Sequence, residues 1–90
     1  MFGLKDKEID EIKNILKSNN ISNGVIFGSR AKGNYKPGSD VDLAIDGDAR
    51  KISYYLNEES KMAYFFDVVN INNIKNNNLL EHIKRVGILL

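Results

Sequence analysis

The stretch VIFGSRAKGNYKPGSDVDLAI, Val25 to Ile45, decides how the rest of the chain is read. The apolar run Val25-Ile26-Phe27 stops at Gly28-Ser29. A short basic segment and a turn follow, and then Asp40 and Asp42 alternate with Val41, Leu43 and Ile45. Side chains of a strand alternate between faces with period two. Asp40 and Asp42 are therefore expected on one face, and Val41, Leu43 and Ile45 on the other. Paired carboxylates make a poor core and a good seat for a hard cation.

Outward from this stretch the pattern is regular. Leu4, Ile9, Ile12, Ile15 and Leu16 recur at helical spacing, which predicts an amphipathic helix with Asp6 as N-cap and Asn19-Asn20 as its stop. Val25 to Phe27 reads as a buried strand, Gly28 to Gly33 as a turn or two of helix, and Tyr35 to Ser39, around Pro37-Gly38, as a turn. Val41 to Ile45 is the second strand. Ala49 to Glu59 returns to helical spacing behind the candidate N-cap Asp48, and Tyr64 to Val69 is a third strand rich in aromatic and β-branched residues. Leu79, Leu80, Ile83 and Val86 give a last helix its apolar face, with Asn78 as cap. The order predicts an α+β fold: a small mixed β-sheet with helices packed on one face and the acidic residues on the open one.

At 90 residues the chain is expected to form a single domain, residues 1–90. Its 13 basic and 12 acidic residues give a net charge of +1, so composition supplies no field for direct nucleic-acid binding. There is no cysteine, which excludes disulfides and thiolate metal sites. No run approaches the length of a membrane span and no signal-peptide pattern opens the chain, so the expected location is the cytoplasm. His82, the lone histidine, is read as a surface or interface residue, and Lys84-Arg85 as a solvated helix face.

Phe27-Gly28-Ser29 followed at a short distance by Asp40-Val41-Asp42-Leu43 resembles the signature of the nucleotidyltransferase superfamily that includes DNA polymerase beta and the aminoglycoside nucleotidyltransferases. The small size and the wording GSRAKG with SDVDLAI are most similar to the minimal nucleotidyltransferases, whose genes often pair with a HEPN-domain toxin. The resemblance implies the nucleotidyltransferase fold over nearly the whole chain. It also implies transfer of a nucleoside monophosphate, AMP from ATP, to a hydroxyl.

That reaction places a hydroxyl on a phosphorus ringed by charged oxygens. Two Mg²⁺ ions roughly 3.5 to 4 Å apart are the usual solution. Asp40 and Asp42 fit as bridging ligands. A third carboxylate is then needed on an adjacent strand, and Asp67 in Phe65-Phe66-Asp67-Val68-Val69 is the candidate. By the resemblance it also polarises the incoming hydroxyl as a general base. Three neighbouring carboxylates repel one another, by about 3 kcal/mol for a pair ~5 Å apart. At least one should therefore titrate above a free Asp in the metal-free protein. Gly28 lets the backbone approach the triphosphate, and Ser29 and the first N–H groups of the short helix can donate to phosphate oxygens. Arg30 and Lys32 are candidates to neutralise phosphate charge, and Tyr35 a candidate to stack on the base.

A chain this short offers little wall for an acceptor, so another chain is expected to supply it. The resemblance makes that partner a HEPN toxin modified on a tyrosine, with this protein as its antitoxin. Two alternatives stay open: an antitoxin acting by occlusion alone, and a small-molecule nucleotidyltransferase walled by a homodimer. Asn70 stands where many relatives carry a further acid.

Overall fold

In the computed structural model, which describes residues 1–90, the chain runs α1 (Asp6–Ser18), β1 (Gly24–Phe27), α2 (Gly28–Lys32), β2 (Val41–Ile45), α3 (Ala49–Tyr54), β3 (Phe66–Asn70), α4 (Asn77–Val86) and β4 (Ile88–Leu89). A π-helical turn, Tyr55–Glu59, prolongs α3, and a single 3₁₀ turn, Ile71–Asn73, follows β3. The strands form one mixed sheet in the order β3-β2-β1-β4. β2 pairs antiparallel with β1 and parallel with β3, and β1 pairs antiparallel with β4. The α+β fold with a mixed sheet is thus as the pattern of elements implied.

Period-two alternation divides the sheet cleanly. Ile26, Val41, Leu43, Ile45 and Phe66 face one side, where they pack with Ile12 and Leu16 of α1, Ile52 of α3 and Leu56 of the π turn. This is the main core, and its β2 and β3 members are inaccessible to solvent. Each buried aliphatic or aromatic side chain here contributes about 1.5–3 kcal/mol relative to exposure. Phe27 and Ala44 point the other way and pack with Ile83 of α4 in a second, smaller cluster joined by Val25, Val69, Leu79 and Val86. α1 and α3 cover one face as expected, but α4 lies across the opposite one, the face that also carries the acids. The reason is β4: the chain leaves α4 at Gly87, whose N–H donates to the Ile83 carbonyl (2.8 Å), and pairs at once with β1. With that pairing α4 lies over Phe27, Ala44 and Val69 on this face, and Asp67 stays exposed.

The caps differ in detail from the sequence expectation. Lys5, not Asp6, is the N-cap of α1, because Glu8 reaches back and accepts the Lys5 N–H (2.8 Å). Asn19 does end the helix, with Asn20 in the left-handed region (φ 61°). Asp48 caps α3 by accepting from the Lys51 N–H (3.2 Å). Asn76, rather than Asn78, caps α4 by accepting from the N–H groups of Asn78 (2.9 Å) and Leu79 (3.3 Å). No helix is long and apolar enough to cross a membrane.

Candidate active site

β2 and β3 are parallel and in register, with Asp42 opposite Asp67, and across the other edge of β2 Asp42 lies opposite Phe27. In-register neighbours point to the same face, so Asp42 and Asp67 stand side by side on the acidic face. Asp40 lies just before β2 rather than inside it and is exposed. Asp67 is exposed too, while Asp42 is half-buried. Burial pushes the Asp42 carboxyl above its ordinary value, and the charges of Asp67 and Asp40 push it further. The structure thus brings all three sequence-picked acids within electrostatic reach of one another.

Gly28 is bound to this arrangement by space as well as by conformation. Its φ is +71°, and a Cβ built there would run into the Asp42 carboxylate. Only a residue without a side chain lets the β1–α2 turn close over that carboxylate. Ser29 follows at the start of α2, half-buried, beside the same turn.

His82, read as a surface or interface residue, is half-buried and lies beside Phe27 and Asp42. Its ring meets Phe27 edge to face (centroids 6.2 Å apart, planes at 80°), and its charge pulls the Asp42 carboxyl down against the three raising effects. The signal was available. Leu79, His82, Ile83 and Val86 recur at i, i+3, i+4 and i+7, so the histidine shares the buried stripe of α4.

Arg30, a candidate to neutralise phosphate charge, is engaged within the fold. It is 3% exposed. Nε and Nη2 donate to the Ser39 carbonyl (3.1 and 2.8 Å), Nη1 to the Phe2 carbonyl (2.8 Å), and Nη2 to the Pro37 carbonyl (3.4 Å). The guanidinium carbon lies 5.2 Å from the Tyr35 ring centroid and 5.0 Å from that of Tyr64, which places Tyr35 against Arg30. A guanidinium so buried commits most of its donors to the loop and to the N-terminal segment rather than to the turn. Lys32, two residues on, is exposed and is the cation of α2 that remains available.

The donor set of the acids is all oxygen, the chemistry that Mg²⁺ prefers over softer metals. Asp42, Asp67 and Asp40 therefore fit a hard divalent cation by chemistry, and Asp42 and Asp67 also by shared face. Their carboxylates are not drawn to one point, and no group of three or more acid or histidine side chains already stands at ligand spacing. The surroundings are open: the four cavities of the structure, 330 to 490 Å³ in volume, are lined by other residues. Asn70, at the end of β3, spends its side-chain oxygen on the Asn72 N–H (3.0 Å).

Comparison with curated proteins gives no match. Comparison with family models does: the family described as "Polymerase beta, Nucleotidyltransferase" matches residues 10–90, from the first turns of α1 through β4. With the match spanning the acids, the Gly28 turn and the whole sheet, the chain belongs to the polymerase beta nucleotidyltransferase family.

Proposed function

We propose that this protein is a Mg²⁺-dependent nucleotidyltransferase that moves AMP from ATP to a hydroxyl, acting as antitoxin on a tyrosine of a HEPN-domain toxin. The observation that carries the catalytic part is the register of Asp42 with Asp67, on one face and against the Gly28 turn. An acid on the far face of β3 would have left nothing for a hydroxyl to meet.

The acceptor oxygen attacks the α-phosphorus, the bond to the β-phosphate oxygen breaks, and pyrophosphate leaves. Asp40, Asp42 and Asp67 would hold the divalent cations, which when bound neutralise charge on the attacking and leaving oxygens. Asp67, the most open of the pair on β2 and β3, accepts the proton of the acceptor hydroxyl. Gly28 gives the phosphates close backbone approach, Ser29 donates its hydroxyl, and Lys32 takes the charge-neutralising role from Arg30. The open acidic face supports an acceptor presented by a second protein rather than one swallowed in a pocket.

The test combines the protein with ATP, Mg²⁺ and a HEPN partner encoded beside it, and weighs the partner by mass spectrometry. A partner heavier by one AMP, and unmodified with Asp42→Asn, is the expected result. A tight complex with unmodified partner would favour neutralisation by occlusion. AMP on a small hydroxyl compound, with a dimeric enzyme, would favour the small-molecule reading.

A further inference from the structure

We propose that Arg30 is a positioning residue for the acidic site, holding the loop of residues 33–39 and through it Asp40. This rests on the nucleotidyltransferase reading above.

Residues 33–39 are almost entirely exposed, and the loop's other hydrogen bonds are local. Ser39 N–H donates to the Lys36 carbonyl and Lys36 N–H to the Ser39 hydroxyl (both 2.9 Å), while Gly33 N–H closes α2 on the Ser29 carbonyl (2.9 Å). The side chain that ties the loop to the body of the domain is Arg30. Two of its four bonds converge on the Ser39 carbonyl. That carbonyl and the Asp40 N–H belong to one planar peptide unit. Fixing the carbonyl therefore fixes the direction in which Asp40 leaves the loop. From the other end Val41 N–H donates to the Phe65 carbonyl (2.9 Å), so Asp40 is clamped between an arginine and a strand edge.

The chemistry of the clamp argues for geometry rather than for bulk stability. All hydrogen-bond acceptors of the guanidinium are neutral carbonyls, and its flanks are two tyrosine rings. Burying a cation without a carboxylate partner is costly. An apolar side chain would fill the same space more cheaply, but could not hold three carbonyls in fixed directions. The planar fork of arginine can; the point charge of lysine cannot span them.

The test compares wild type with Arg30→Lys, both shown folded by circular dichroism, using amide hydrogen exchange and Mn²⁺ titration. Tyr35→Leu, which removes one flanking ring from an exposed position, is the second variant. Arg30→Lys should speed exchange at residues 33–40 selectively and weaken Mn²⁺ binding about fivefold, on the order of one lost hydrogen bond. Tyr35→Leu should move both readouts the same way by less. Uniform acceleration along the whole chain with unchanged Mn²⁺ affinity would make Arg30 merely structural and overturn the proposal. A loosened loop with full Mn²⁺ affinity overturns it as well. Wild-type protein that binds no Mn²⁺ would instead overturn the parent reading, and Arg30's role with it.

Discussion

At Asp42 the folded chain holds a carboxylate half out of water, against Phe27 and beside two other acids. Its raised pKa means that folding favours the neutral form. The contribution of Asp42 to stability is fully present below the unfolded pKa of about 3.9 and is lost as pH rises through the higher folded value. Metal-free Asp42→Asn should therefore melt above wild type at neutral pH and lose that advantage near pH 4, as thermal unfolding at the two pH values would show. The same variant should transfer no nucleotide, a site strained for its function. Gly28→Ala is expected to cost about 2 kcal/mol in urea unfolding, since a Cβ meets both the left-handed conformation and the Asp42 carboxylate. Among single residues, the face of Asp42 was legible in the sequence because alternation in a strand is a local rule, and Asp67 stood out as the charge in an otherwise apolar strand. Arg30 was not legible. Its neighbours in sequence suggest phosphate, but its partners come from Phe2, Pro37, Ser39, Tyr35 and Tyr64, and no local pattern announces that they meet.

Between elements, a few polar side chains set the spacing. Glu8 accepts from the Lys5 N–H and from the Tyr64 hydroxyl (3.0 Å), joining the start of α1 to the approach of β3. The Lys5 bond, with help from Tyr64, holds the Glu8 carboxyl below its ordinary value. The stability it gives is present above the unfolded pKa of about 4.3 and is lost as pH falls through the lower folded value. Glu8→Ala should cost about 1 kcal/mol at neutral pH, and less in acid, by denaturant unfolding. Asn57 guards the outer edge of β3: it accepts the Phe66 N–H (2.8 Å) and donates to the Phe66 carbonyl (2.9 Å), as a neighbouring strand would. Asn57→Ala should cost about 1–2 kcal/mol and raise aggregation, measured by light scattering on warming. α1, β2, α3 and α4 were readable from periodicity, β1 from its continuous apolar run, and β3 from its aromatic and β-branched residues, though it starts at Phe66 rather than Tyr64. β4 was missed because two residues carry no period, and with it went the placement of α4.

For the molecule as a whole, an open acidic face and a separate core let ligand binding and folding be read together. Mg²⁺ with a non-hydrolysable ATP analogue at a hundred times its Kd should add about 2.7 kcal/mol, or roughly 10–20 °C in Tm for a domain of this size. Asp67→Asn should abolish the shift in differential scanning while leaving the unliganded Tm near wild type, since Asp67 is exposed. The topology was legible as far as an α+β sheet with its acids on one face; which helix shares that face depends on a pairing between β1 and β4 that is distant in the chain. The in-register pairing of β2 with β3 carries one last implication. Sliding β3 by a single position would swing Asp67 into the apolar core and expel Phe66 to solvent. A misaligned molecule would thus be unstable as well as inert, so the hydrophobic interior proofreads the chemistry: whatever survives as folded protein has its acids correctly dealt.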